Sequence, residues 1–390
     1  MAVRLPEGFA ASGVAAGIKP SGKPDIALMV SDQPTAWAIT TTQNRFVAAC
    51  VERARSLFET GRPLRAIIVN AGNANCATGP QGVADDAELG STAALAMTHL
   101  GGLAVEAEDV LTASTGVIGV PMAMDKARAG IEQAASNLDA EAADAFAFAI
   151  RTTDLTTKLV ERDLPGGGRI VGMAKGSGMI HPNMATMLAF IVTDVDIAQD
   201  ALRTSWATIV GDTFNQLTVD GDTSTNDMAV VLSSGRVQAS ESVFWEALSE
   251  VAVELTEAIA ADGEGATTLL RVEVTGALTA EEARRAARAV VGSSLVKSAV
   301  HGRDPNWGRI LAAAGQSGVS MDATRAKVLL QGVAVYSGAP LQFDASAVSQ
   351  AMLADTVEIS LDLAAGEATG RAWGCDLTAD YVRINADYTT

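Results

Sequence analysis

Cysteine is scarce in this chain. Cys50, Cys76 and Cys375 are scattered over 390 residues, too few and too dispersed for a disulfide framework or a zinc site. Each is expected to be a small buried side chain. Long apolar runs are missing too, and no stretch approaches the ~18–20 apolar residues of a membrane span. The first twenty residues hold Pro6, Gly8 and Gly13 and lack the apolar core of a signal peptide. A soluble, cytoplasmic chain without membrane contact is expected. Positive charge is in short supply: Lys and Arg number 28 against 46 Asp and Glu, for a net charge of −18. That excludes a general nucleic-acid binder, which needs a basic face. A local basic pocket is compatible with it, since a negative shell mainly serves solubility. What is present is 48% hydrophobic and 19% charged residues, the composition of a packed globular protein with one or two full cores.

Taken in order, residues 1–80 read as strands and turns. Pro24–Val30 and Ala36–Thr40 read as neighbouring strands with a polar turn between them, and Arg65–Val69 as a further buried strand. The small-residue run Asn70–Gly79 follows as a loop. A helix is expected over Val83–Leu100, with Asp85, Asp86 and Glu88 in its first turn, where they suit the helix dipole. Asp109–Ala113 is a short strand delivering Ser114, Thr115 and Gly116. Small residues there leave backbone N–H groups open to a ligand oxygen, or simply mark a strand-to-turn junction. Helices over Met122–Ala135 and Asp139–Arg151 come next, then Thr152–Asp154 and a hairpin turn at Pro165–Gly168.

In the second half, a helix over Ala198–Gly211 precedes strands at Gln216–Val219 and Met228–Leu232. The polar loop between them is not a calcium loop. Counted from Asp220, Thr225 stands where a glycine is needed and Val231 where a glutamate is needed. Asp220 and Asp222 are expected to make local backbone bonds instead. A long helix over Val243–Ala260 ends at Asp262–Gly265. There Glu264, between glycines, is either a solvated loop acid or a carboxylate that a ligand can approach closely. Leu269–Val274 and the turn at Gly276 read as the close of a first domain, 1–277. Thr279–Glu282 makes a capping box that opens a smaller domain, 278–390, with strands at Lys327–Leu330, Val333–Tyr336, Val357–Leu363 and Ala368–Gly374. His301 fits a structural hydrogen-bonding role. The fold class is α/β: a mixed, layered larger domain and a smaller C-terminal α/β domain.

The stretch Lys175–Thr186 stands near the middle of the chain and is followed by the apolar run Met187–Val192. Its glycines, proline and asparagine give a tight, kinked approach, and the run reads as a strand buried on both faces. Thr186, at the junction, is either an ordinary β-branched residue opening a core strand or a nucleophile. A threonine hydroxyl needs a base, and a threonine at a chain terminus has one in its own α-amine, of pKa ~7.7–8.0. An internal threonine reaches that state only when the bond before it is cut, here the bond from Ala185 to Thr186. A strained turn ending in a small residue suits that attack. A phosphate-binding reading of Ala174–Gly178 fails on the glycine–lysine order and spacing of a P-loop.

This segment resembles the self-cleavage motif of the ornithine acetyltransferase family, the bifunctional glutamate N-acetyltransferases and amino-acid acetyltransferases of arginine synthesis. The likeness extends to Asn70–Asn75, Ser114–Gly119, Asp222–Asp227, Asp262–Gly265 and His301–Arg309, in one order across nearly the whole chain. The resemblance implies autocatalytic cleavage into chains 1–185 and 186–390, with Thr186 then carrying the acetyl group. It implies an oxyanion hole at Thr115 and Gly116, each such donor being worth ~3–4 kcal/mol. It also implies substrate contacts from Thr152, Lys175, Thr186, Glu264, Asn385 and the terminal Thr390. A cation at Lys175 suits carboxylates, and a carboxylate at Glu264 suits an amino group.

The implied reaction moves the acetyl group of N2-acetylornithine to L-glutamate in two steps through an acyl-enzyme, with no metal or organic cofactor. Some members also accept acetyl-CoA, and no motif here decides that. The alpha and beta chains are expected to stay together because the new strand is buried in a shared core. Two such pairs would form a heterotetramer. One rival is a self-cleaving amidohydrolase or aminopeptidase that uses water as acceptor. The other is a non-catalytic small-molecule binding protein, which has no reason to cut itself.

Overall fold

The computed structural model describes residues 2–100, 102–181 and 187–387. The first group of strands is β1 (Phe9–Val14), β2 (Ile26–Thr41), β3 (Leu64–Asn73), β4 (Val110–Val117), β5 (Lys158–Asp163), β6 (Arg169–Lys175), β7 (Leu188–Val195) and β8 (Met228–Val237). Their helices are α1 (Ala49–Thr60), α2 (Gly79–Leu100), α3 (Met124–Ser136), α4 (Ala143–Ala149), α5 (Gln199–Asp212) and α6 (Glu241–Ala261). The strands hydrogen-bond in the order β4-β3-β2-β8-β7-β6-β5, with β1 added alongside β2.

Side-chain alternation along these strands creates the layers. On β7, Leu188, Phe190 and Val192 enter one core, while Ala189 and Ile191 enter another. On β3, Ile67 and Val69 join that same first core, and Ala66 and Ile68 a third. The first core therefore lies between the two halves of the sheet, where α1 and α4 also contribute. The α5 and α6 helices cover the outer face of the β6–β8 half, and α2 and α3 that of the β1–β4 half. Phe146 and Phe190 meet edge to face inside the first core, their centroids 5.5 Å apart.

A second, five-stranded sheet is built from β9 (Leu269–Ala277), β10 (Lys327–Leu330), β11 (Val333–Ser337), β12 (Thr356–Asp362) and β13 (Ala368–Cys375), in the order β11-β10-β12-β9-β13. Its helices are α7 (Ala280–Val291), α8 (Ser294–His301), α9 (Trp307–Gln316), α10 (Ala345–Ala351) and α11 (Ala379–Asp387). Val272, Val274, Ile359 and Leu361 meet Ala286, Val290 and Ile310 in its core. The cap expected at Thr279 is present, its hydroxyl accepting the Glu282 N–H.

The α/β class holds, and several local expectations change. The two strands expected at Pro24–Val30 and Ala36–Thr40 are one strand, β2. It pairs with β1 and β3 through its first half and with β8 through its second. Pro34 has no N–H to give, so the ladder shifts register between Val30 and Thr35 and the strand bends without reversing. The α2 helix starts at Gly79 rather than Val83, with Pro80 in its first turn, where a missing N–H costs nothing. Asp85 and Asp86 are consequently buried inside the helix rather than facing its N-terminal end. Gln216–Val219 is not a strand. A 3₁₀ turn over Phe214–Gln216 leads to a single bridge from Leu217 to Trp373. The α4 helix covers only Ala143–Ala149, since Asp139 bridges to Ala11 before it. Finally, β9, expected at the close of the first domain, sits inside the second sheet between β12 and β13.

Candidate active site

The β6 strand ends at Lys175, which pairs with Leu188 at the start of β7. The link between them therefore leaves and rejoins the sheet at adjacent points. Ala185 and Thr186, the expected cleavage pair, and the terminal Thr390 lie outside the described residues. Beside this junction is a cavity of about 150 Å³ whose lining includes Thr115, Gly116, Thr152, Lys175, Glu264 and Asn385. The structure thus gathers residues from seven separate stretches of chain around one space, including Ala74, Asp220, Asp222 and Tyr381.

Thr115 and Gly116 lie within β4, which runs on through them rather than stopping before them. Gly116 adopts φ +133°, and a Cβ there would stand 2.3 Å from the Gly72 carbonyl carbon and 2.5 Å from the Asn73 nitrogen. Only glycine fits so close to another backbone. The surrounding asparagines hold this junction together. Asn226 donates to the carbonyls of Ala74 and Ser114 at 2.7 and 2.9 Å. Asn70 accepts the Ser114 hydroxyl at 2.6 Å and donates to Asn73 O at 2.7 Å. Small polar side chains therefore satisfy the buried carbonyls that a loop would otherwise leave bare.

Lys175 is buried, not the exposed cation that lysine usually is. Burial pulls its ammonium below the ordinary lysine range, with Asp154, Asp227 and Glu264 drawing it back up and Lys158 pushing it further down. Beneath it is an ionic group that sequence reasoning missed. Lys158 donates to Asp154 Oδ1 at 2.7 Å and to Asp262 Oδ2 at 2.5 Å, with all three side chains almost wholly buried. Asp154 also takes the N–H groups of Gly176 at 2.6 Å and Thr152 at 3.0 Å. Burial alone would raise the Asp154 carboxyl, and the charges of Lys175 and Lys158 outweigh it and hold it below the usual range. The signal available in the sequence was the i, i+4 pair of Asp154 and Lys158, which looks like any surface pair until burial is known.

Glu264 is set by backbone contact. Its N–H donates to Ser177 O at 2.8 Å, and Asn385 on α11 donates to its Oε2 at 2.9 Å. A Cβ on Gly178 would stand 2.4 Å from that carboxyl group, so the glycine is what lets Glu264 lie there. Asp220 does more than the local bonding expected of it. It accepts the Asp222 N–H at 3.2 Å, and also the N–H groups of Met179 at 2.6 Å and Ile180 at 2.8 Å. Met179 has φ +57°, a strained position for a side-chain-bearing residue, and the Asp220 clamp holds it there. His181 Nδ1 meets the Thr218 hydroxyl at 3.2 Å.

Asp227, the last residue of the Asp222–Asp227 stretch, is a further charged group at this junction. It is buried, its Oδ1 accepts the Met187 N–H at 3.1 Å, and its Oδ2 has no hydrogen-bond partner among the described residues. Burial pushes its carboxyl well above the usual range, against the Met187 N–H, Ser224 and the Lys175 charge. His301 lies apart from the cavity and pairs with Asp376 at 2.9 Å, the structural role expected. The three cysteines are buried and free. No helix among the described residues is long and apolar enough to cross a membrane.

A profile of the ArgJ family matches residues 10–390. The chain belongs to the ArgJ family. It is 56% identical over 391 residues to an arginine biosynthesis bifunctional protein of Thermus thermophilus, covering all of both chains. It is 54% identical to the protein of that name from Deinococcus radiodurans, covering all of this chain and 98% of the other. Membership in the ArgJ family makes it an acetyltransferase of arginine biosynthesis. Among solved structures, the Bacillus halodurans arginine biosynthesis bifunctional protein shares 42% identity, covering 50% of this chain and 96% of that one, at a TM-score of 0.48. A Mycobacterium tuberculosis ornithine acetyltransferase complexed with ornithine shares 39%, covering 45% and 92%, at 0.44.

Proposed function

We propose that this ArgJ enzyme is a self-cleaving, cytoplasmic acetyltransferase that carries the acetyl group of N2-acetylornithine to L-glutamate on Thr186. The observation that carries this reading is the convergence of Thr115, Gly116, Thr152, Lys175, Glu264 and Asn385 on one cavity, beside the point where the chain rejoins the sheet at Leu188. In the first step the Thr186 hydroxyl attacks the Ala185 carbonyl carbon and the peptide bond shifts to an ester. Water hydrolyses that ester, which leaves a carboxylate on Ala185 and frees the hydroxyl and the α-amine of Thr186, the amine serving as its base. The Thr186 hydroxyl oxygen then attacks the acetyl carbonyl carbon. Its proton passes through the amine to the departing N2 of ornithine, as the acetyl–nitrogen bond breaks. Thr115 and Gly116 stabilise the oxyanion, a contribution of ~3–4 kcal/mol per donor.

Glutamate then enters. Its amine attacks the ester, the acetyl–oxygen bond breaks, and the proton returns to Thr186. Glu264 holds a substrate ammonium, Lys175 and Thr152 hold the carboxylate end, and Asn385 fixes the Glu264 carboxyl. By the family resemblance, Thr390 also contacts the substrate. Every step is acyl and proton transfer, so no cofactor is called for. The two pieces, 1–185 and 186–390, stay paired, and two pairs assemble as a heterotetramer. The test is the denatured mass of the purified protein beside Thr186→Ala, with acetyl transfer measured on both. Two pieces and transfer from wild type, with an intact and inactive variant, are expected. An intact, active wild type would overturn the mechanism, and release of acetate without transfer would make the protein a hydrolase.

A further inference from the structure

The substrate cavity has an electrostatic problem. Asp220, Asp222 and Glu264 line it, and among the described residues Lys175 is the sole cation in its lining. That suits ornithine, whose side chain ends in an ammonium group. It opposes glutamate, whose side chain ends in a carboxylate, and equally the phosphates of acetyl-CoA, because like charges at close range repel.

A second cavity of about 150 Å³ answers it. Its lining includes Lys19, Lys23, Phe148 and Arg151, together with Asp154, whose carboxylate already takes Lys158 Nζ and the N–H groups of Gly176 and Thr152, and it shares the Thr152 wall with the first. In a chain of net charge −18, this is a cationic spot. Several other guanidinium groups are matched to carboxylates, as Arg62, Arg128, Arg169, Arg271 and Arg284 are. Lys19, Lys23 and Arg151 take part in no ion pair among the described residues. Lys19 Nζ spends two protons on the carbonyls of Pro24 at 2.5 Å and Ala149 at 2.9 Å, which leaves one. Arg151 donates to the Thr157 hydroxyl at 3.0 Å and to Asp154 O at 2.5 Å, which leaves three of its five N–H groups. Its guanidinium lies 5.1 Å from the centre of the Phe148 ring, which holds it in place.

We propose that the cavity bounded by Lys19, Lys23 and Arg151 is an anion subsite, which takes the carboxylate or phosphate end of a substrate whose reacting end lies in the acetyl-transfer cavity. The identity of those substrates rests on the acetyl-transfer reading above, and the subsite itself rests on the charge and the shared wall. Burial brings the Lys19 ammonium down to about 8, with Lys175 and Arg151 repelling it and Asp25 and Asp154 holding it up. An incoming anion therefore meets three cations, Lys19, Lys23 and Arg151, beside one carboxylate, Asp154, that is already committed to Lys158.

Calorimetric titration of the full protein with N-acetyl-L-glutamate, coenzyme A and ornithine tests this without any turnover. The variants are Lys23→Glu and Arg151→Gln, each checked for folding by its thermal transition. Lys23 is exposed, so its charge reversal leaves the core untouched. The expected result is about tenfold weaker binding of at least one anionic ligand, the size of one charged hydrogen bond, with ornithine affinity kept within about twofold. Loss confined to N-acetyl-L-glutamate identifies a carboxylate subsite, and loss confined to coenzyme A a phosphate subsite. Unchanged binding of both anions in the Lys23→Glu variant, or an equal loss for ornithine, overturns the proposal. A folded wild type that binds these anions and transfers no acetyl group would sink the reaction and leave the subsite standing.

Discussion

Replacing Gly178 by alanine separates the stability of the site from its chemistry. A Cβ there would stand 2.4 Å from Glu264 Cδ and Oε2 and 2.7 Å from Oε1. These atoms are the end of a rotatable side chain, so the clash is relieved by turning the carboxylate away rather than by moving backbone. The exposed hydrogen bond from Asn385 to Glu264 Oε2 is then lost, and the fold should weaken by less than about 1.5 kcal/mol. A substrate ammonium loses its charged partner, worth ~1.5–3 kcal/mol, so KM for N2-acetylornithine should rise about 10- to 150-fold at 1.4 kcal/mol per decade. Steady-state acetyl transfer, run beside Glu264→Gln and the double variant, measures this. Because both changes remove the same contact, the double variant should match the more affected single within about 0.5 kcal/mol. Fully additive effects, or an unchanged KM in Gly178→Ala, would refute the idea that this glycine exists to seat Glu264.

Two further expectations concern buried charge. Lys158→Met leaves Asp154 and Asp262 without their shared cation, and should cost about 3–5 kcal/mol in urea unfolding; a loss under about 1 kcal/mol would mean that the group is solvated. Burial raises the Asp86 carboxyl to about 6, against Thr112 and the Arg53 charge. Its folded pKa therefore lies above its unfolded value, the folded state binds the proton more tightly, and stability falls as pH rises from about 4 to about 6. That rise corresponds to about 3 kcal/mol, so Asp86→Asn should gain on wild type across that window and not below it. Parallel melts at several pH values would show a flat difference if the argument is wrong.

Much of the architecture was legible because strand alternation and helix periodicity follow directly from burial. The all-buried strand over Met187–Val192 and the four strands after Lys327 were readable for that reason. The bend in β2 was not, since a proline between two apolar runs looks the same whether the chain reverses or merely skips a rung. The cavity residues Lys175 and Glu264 were reachable only through resemblance, because a lysine and an acid next to glycines are ordinary loop residues by composition. The character of Asp227 and of the group of Lys158, Asp154 and Asp262 was out of reach, since it comes from desolvation by segments distant in the chain. The second-sheet membership of β9 was equally hidden, because pairing partners are set by tertiary contacts and not by the strand itself.

The order of strands in the first sheet has a consequence for how the molecule could ever be taken apart. In the sequence β2-β8-β7-β6, the two middle strands come from beyond residue 186 and the two outer ones from before it. A single cut at that point leaves one piece clamped inside the other along two ladders. Before the cut, folding is a first-order event of one molecule. After it, reassembly from the denatured state requires two pieces to meet, so recovery depends on concentration. The cut would thus act as a ratchet, turning a reversible fold into one that is made once and then kept.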